Sequence, residues 1–239
     1  MKNYCILFII VFLGFSNIVF SQEDSIASLK VVDSLYKEDQ FYLAITYNIL
    51  TDFPSGIKQS GFSLGINGGF IKDMPLNSKR TIAIGVGLGY SYNSYNQNLG
   101  ILKNDDNVAM YYVLDEDLEL NYSKNNFYQH IVELPIEFRW RTSTPSDYRF
   151  WRVYTGFKLG YVFSSITNFR GDNAKLRYTD IDGFNDIQYG LTLSAGYNTW
   201  NFYVYYALNP IFKNDVKTAI KQENIDMSAI KLGLIFYLL

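Results

Sequence analysis

The one histidine of the chain, His130, sits in the run QHIVELPIEFRW (129–140). Ser165 falls a few residues away on the segment expected to lie beside it. An imidazole and a hydroxyl so placed on a membrane-facing surface are what a lipid hydrolase or acyl transferase would use as base and nucleophile. No nucleophile elbow, orienting carboxylate or oxyanion hole accompanies them, so His130 reads as an interface aromatic and no catalytic residue is assigned. Glu133 and Glu137, close by, are spaced as an acid/base pair could be. Arg139, Arg141, Arg152, Lys158 and Lys231 share their side of the wall, which makes a neutralising salt-bridge network the simpler reading. Gly85, Gly87 and Gly89 have GxGxG spacing but open no helix, so they carry no nucleotide fingerprint. The acids of 93–126 (Asp105, Asp106, Asp115, Glu116, Asp117 and Glu119) match no calcium-loop spacing and read as a solvated loop. No cofactor, metal or small-molecule substrate is expected.

The elements that position these groups are strands. In TIAIGVGLGYSY (81–92) the even positions Ile82, Ile84, Val86, Leu88 and Tyr90 are large and apolar, while Ala83, Gly85, Gly87 and Gly89 are nearly bare. A soluble sandwich would turn the large residues inward. A small transmembrane barrel does the reverse, because lipid accepts Ile, Val and Leu, and glycine makes room for long side chains filling a narrow interior. The same parity sends Val132, Leu134, Ile136, Phe138 and Trp140 outward from 127–141 and Val153, Phe157, Leu159, Tyr161 and Phe163 outward from 151–164. Glu133, Glu137, Arg139, Arg152 and Lys158 then face the lumen, as does Lys231 on the last strand. Outward charges on these two strands would cost about 2–4 kcal/mol each at mid-membrane.

Eight segments of this kind follow one another: 41–50, 61–72, 81–92, 127–141, 151–164, 187–198, 201–212 and 228–239. The connections after the second, fourth and sixth are short, and those after the third, fifth and seventh are long. This asymmetry belongs to outer-membrane barrels with short periplasmic turns and long external loops. Trp140, Trp151 and Trp200 all flank short turns and would form a periplasmic aromatic girdle, with Tyr90, Tyr92, Phe127, Tyr161 and Phe163 in the opposite one. Pro135, lacking a ladder donor, suggests a local bulge. Paired inward residues on 127–141 and 151–164 must sum to an odd number, and a sum near 291 sets Glu133 beside Lys158.

Ahead of the barrel, Lys2, the apolar run from Ile6 to Phe15 and Val19-Phe20-Ser21 form a secretory leader cleaved before Gln22. Cys5 leaves with it, so no disulfide is expected. The expected organisation is a signal peptide (1–21), a periplasmic segment (22–40) with one helical apolar face, and an eight-stranded antiparallel up-and-down transmembrane β-barrel (41–239). The chain carries 21 basic and 23 acidic residues, a balance that gives no reason to expect nucleic acid as a partner. Its 18% aromatic content suits contact with outer-membrane lipid instead.

DSLYKEDQFYLAITYNIL (33–50) and PSGIKQSGFSLGINGGFIKDMPLNSKRTIAIGVGLGYSYNSYNQNL (54–99) resemble the PorT family of Bacteroidota outer-membrane barrels, called SprT in gliding flavobacteria. QHIVELPIEFRW (129–140) is similar to a strand found across that wider group. The resemblance implies a component of type IX protein secretion, with gliding motility or surface-enzyme export depending on it and other secretion-machinery proteins as partners. It brings no catalytic residues. A generic barrel serving another envelope machine and a narrow solute channel are the alternatives.

The topology is checked by single cysteines and an impermeant thiol reagent on intact cells. Cysteines in 93–126, 165–186 and 213–227 are expected to label, and those at Asn77, Ser146 and Thr199 to stay protected. The reverse pattern would invert the barrel.

Overall fold

A chain that alternates large apolar with small or polar residues has two unlike faces. In lipid, only a closed sheet satisfies both faces and every backbone donor. The computed structural model describes residues 39–104, 106, 108–118, 121–142, 150–172 and 174–238. The leader, residues 22–38 of the N-terminal segment, Ser146, Asp105 and Glu119 lie outside the described residues. The strands are β1 (Gln40–Thr51), β2 (Leu64–Pro75), β3 (Ile82–Asn96), β4 (Leu99–Lys103), β5 (Ala109–Val113), β6 (Tyr122–Arg141), β7 (Trp151–Gly171), β8 (Lys175–Thr179), β9 (Ile187–Tyr197), β10 (Trp200–Ala207) and β11 (Ser228–Leu238), with one helical turn, α1 (Leu114–Asp117). β1, β2, β3, β6, β7, β9, β10 and β11 pair in chain order, and the β6–β7 and β1–β11 ladders close them into an eight-stranded antiparallel barrel. β8 hydrogen-bonds to the outer part of β7, and β4 and β5 form a separate two-stranded sheet.

The bare face of β3 is inside, and the structure shows what occupies the space it leaves. A methyl group on Gly85 would come within 2.7 Å of Arg139 Nε, and one on Gly89 would meet the Tyr42 hydroxyl. Tyr42 and Arg139 reach these positions from β1 and β6, so glycine here is required by close approach and not by backbone angle. Outward residues such as Leu88, Leu134, Phe157, Leu191 and Phe202 are exposed. One charge departs from this division: Lys72 on β2 is exposed among apolar neighbours. It lies two residues from Met74 near a short turn, where its apolar stem can carry the ammonium to the headgroup layer.

The β6–β7 ladder runs at a sum of 293, two more than the expected register: Glu133 lies opposite Gly160, and Pro135 opposite Lys158. A two-residue slip leaves every side chain on its own face, so parity could not distinguish the two registers. Pro135 causes no bulge. The β3–β6 register is unchanged on either side of it, while the pairs at Gly87 and Leu88 are missing because proline offers no N–H. The shifts in β6 instead fall between Tyr122 and Lys124 and between His130 and Ile131.

The expected solvated loop 93–126 is instead folded. β3 runs on to Asn96, β4 and β5 pair, and β6 already begins at Tyr122. Leu99, Ile101, Tyr111 and Val113 pack with Ile181 and Phe184 from the β8–β9 connection and with Ile211, Phe212, Val216, Ile225 and Met227 from the β10–β11 connection. This second core sits on Leu50, Tyr95, Phe127 and Ala229 at the ends of the barrel strands. Phe127 is therefore no girdle residue: it is 0% exposed, with its ring 5.7 Å from that of Phe212. Its odd number on β6 already placed it inside. Burying these side chains costs less than hydrating them, so the cap forms wherever the connections are rich enough in apolar residues.

Gly89→Val is expected to destabilise the barrel by about 1–3 kcal/mol through overpacking against Tyr42. Tyr42→Ala in the same chain should recover part of that loss. Heat-modifiable gel migration across a denaturant series measures both, and additive effects would mean that the two sites do not touch.

Candidate functional site

The polar side chains of the lumen form layers. Nearest the short turns, β2 supplies Asp73, β6 supplies Glu137, Arg139 and Arg141, and β7 supplies Arg152. Arg141 donates to both Asp73 carboxylate oxygens, Nη1 to Oδ1 at 2.9 Å and Nη2 to Oδ2 at 2.7 Å. Arg139 donates to Asp73 Oδ1 at 3.1 Å and to Glu137 Oε2 at 3.0 Å. Asp73, Arg139 and Arg141 are all 0% exposed. The guanidinium of Arg139 also lies 4.7 Å from the centre of the Tyr154 ring, and that of Arg152 lies 4.2 Å from the Phe150 ring. Planar guanidinium groups suit this site because each can serve a carboxylate and an aromatic face at once.

The middle layer holds Glu133, Lys158 and Lys231. Lys158 Nζ donates to Glu133 Oε2 at 2.8 Å, reaching diagonally across the shifted register. Lys231 Nζ lies 4.7 Å from the centre of the Tyr205 ring. The cavity bounded by Glu133, Lys158, Gln188, Tyr205 and Lys231 measures about 10 Å³, room for about one water molecule. Above it, Gln188 donates to Gln129 at 3.0 Å, and the rings of Tyr95 and Phe127 carry the filling into the cap. Among the described residues, side chains therefore fill the bore from the Asp73 layer to the cap.

Trp140, Trp151 and Trp200 are exposed on the outer surface at the short-turn end. Trp151 and Trp200 both lie opposite Tyr197. His130 is outward too, with Nδ1 2.7 Å from the Tyr90 hydroxyl. Ser165 is not its neighbour across the ladder; Ser164 is. Ser165 lies opposite Gln129, whose side chain is in the lumen, so the imidazole and that hydroxyl are on different sides of the wall and no proton can pass between them. Among the described residues no group of three or more His, Cys, Asp or Glu side chains could hold a metal ion.

Sequence reading missed Asp73, the acceptor on which two buried arginines depend. Its signal was available: it has the inward parity of β2, next to the outward Lys72. In the cap, the backbone N–H of Ala219 donates to the Tyr111 carbonyl at 2.7 Å, joining two connections. Burial pushes the Tyr111 hydroxyl up to about 12, assisted by the nearby charges of Asp182 and Asp215. The hydrogen bond to Glu116 at 2.8 Å raises the Lys221 ammonium above its ordinary value.

A closed eight-stranded wall, apolar outside and filled with charged and aromatic side chains inside, is the design of an outer-membrane β-barrel protein; Arg139, Arg141 and Lys158 are ion-paired, whereas Arg152 meets the Asn198 carbonyl and Lys231 the Tyr205 ring. Sequence comparison agrees with it. Residues 20–213 match the model of the outer membrane protein beta-barrel domain, and the chain belongs to that family, which places it in the outer membrane. Among solved structures it is similar to Ail, the attachment invasion locus protein of Yersinia pestis, at 10% identity and a TM-score of 0.28, over 83% of this chain and 99% of that one. Comparison with curated proteins returned no match.

Asp73→Ala would leave two guanidinium groups buried without their shared acceptor, at an expected cost of about 3–5 kcal/mol. Glu116→Gln, which removes the solvent-screened pair with Lys221, should shift stability far less. Urea midpoints of the two variants compare these losses, and equal midpoints would refute the difference.

Proposed function

We propose that this barrel is a non-enzymatic accessory or assembly component of the type IX protein secretion system of a member of the Bacteroidota, required for export of surface proteins and for gliding. The observation that carries this reading is the filled bore. Among the described residues the mid-lumen cavity is about 10 Å³ and an apolar cap lies over it, which leaves no room for a folded cargo and favours action through the barrel's surfaces. The resemblance of 33–50, 54–99 and 129–140 to the PorT family supports the choice of machine. Its partners are then other secretion-machinery proteins and outer-membrane lipid, met after export through a cleaved signal peptide. A barrel serving another envelope machine is the competing assignment, since it would share the same wall and filling.

Deletion of the gene is expected to abolish surface display of secreted proteins and gliding while leaving the major outer-membrane proteins in place. Complementation with the wild-type chain should restore both. Normal secretion in the deletion strain would reject the assignment, and affinity capture from solubilised outer membrane would then identify the machine that the barrel does serve.

A further inference from the structure

Beyond the rim, β6, β7 and β8 continue as a three-stranded sheet whose outward face changes character with height. Lowest are Tyr128 and His130 on β6 and Tyr92 on the neighbouring β3, with ring centres 5.5 to 5.7 Å apart. Above them, Asn126 lies opposite Asn168, which lies opposite Arg177. The highest row is Lys124 opposite Arg170 opposite Lys175. Three cations directly paired across neighbouring strands repel one another, an arrangement that destabilises a sheet unless an anion lies between them. Among the described residues none of Lys124, Arg170, Lys175 and Arg177 forms an ion pair. All four are exposed. Together with the three ring residues they line a groove of about 610 Å³, and among the described residues no carboxylate lines it.

We propose that this groove binds the phosphate groups of an outer-leaflet lipid headgroup. The four cations meet the phosphates, the rings of Tyr92, Tyr128 and His130 lie against the sugar, and the acyl chains descend along the exposed Val132 and Leu134. Position selects a lipid over free phosphate, because the groove opens directly above the lipid-facing wall, at the height where headgroups begin. It also rests on the long connections being external, as in barrels of this class. Charge-assisted contacts from guanidinium and ammonium groups supply the affinity.

The test uses the full barrel folded in zwitterionic detergent, with bis-phosphorylated lipid A, the same lipid A after removal of its phosphates, and inorganic phosphate as probes. Lipid A is expected to bind saturably and to weaken as salt is raised. The dephosphorylated form should bind at least about tenfold more weakly, as should lipid A to the variant K124Q/R170Q/K175Q/R177Q. Neutralising Lys213 and Lys217, which lie outside the groove, should leave binding unchanged. Heat-modifiable migration reports folding; should the quadruple variant not fold, K124Q/K175Q and R170Q/R177Q are measured in its place. Undiminished binding by the folded variants, or by dephosphorylated lipid A, would overturn the proposal. Competition by inorganic phosphate at concentrations matching the lipid would overturn the assignment to a lipid.

Discussion

Asp73 accepts hydrogen bonds from Arg139 and Arg141 inside a wall that excludes water, and much of the sequence follows from that contact. Two buried guanidinium groups require a carboxylate, and the long side chain of Arg139 requires an opposite strand with no side chains of its own. β3 meets the second need with Gly85, and its ladder to β2 brings Asp73 directly opposite that glycine. Glycine weakens a strand by about 0.5–1 kcal/mol, a cost offset here by charge pairing that a bulkier residue would block. The apolar exterior and the polar filling are thus one solution to a single problem of volume.

How much of this was legible depended on period. The eight long strands alternate over eight or more residues, and lipid on one side with a narrow lumen on the other makes that alternation strict, so face and order could be read directly. Register could not, since Glu133 keeps its face whether it lies opposite Lys158 or Gly160. The cap escaped notice for another reason. Leu99, Tyr111, Phe184, Phe212 and Ile225 lie in three separate connections among polar residues, with no repeat to mark them, and only the fold brings them together. Their density was the available signal: solvated loops have little use for so many large apolar side chains. Ser165 failed as a partner for His130 because the bulge beside Ile131 changes the parity of β7, which alternation alone cannot reveal.

The wall and the cap differ in what holds them. Around the barrel, each strand is fixed by backbone hydrogen bonds to two neighbours, and the lumen charges tie strands from different sides together. In the cap, side-chain packing carries the load, supplemented by a few links such as Lys213 N–H to the Gly183 carbonyl and Asn98 to the Gly56 carbonyl and Asp115. The sheet extension of β6, β7 and β8 stands beside this packed core and keeps its outward face free.

The cap draws on connections that precede β6, follow β8 and precede β11, so its core is complete only after the last strand has crossed the bilayer. Once assembled, it carries polar backbone that lipid cannot solvate. No single strand can then withdraw without first dismantling a core shared by the others. The cap is thus a one-way latch: it gives the membrane crossing a direction and turns the completed barrel from an inserted sheet into a fastened one.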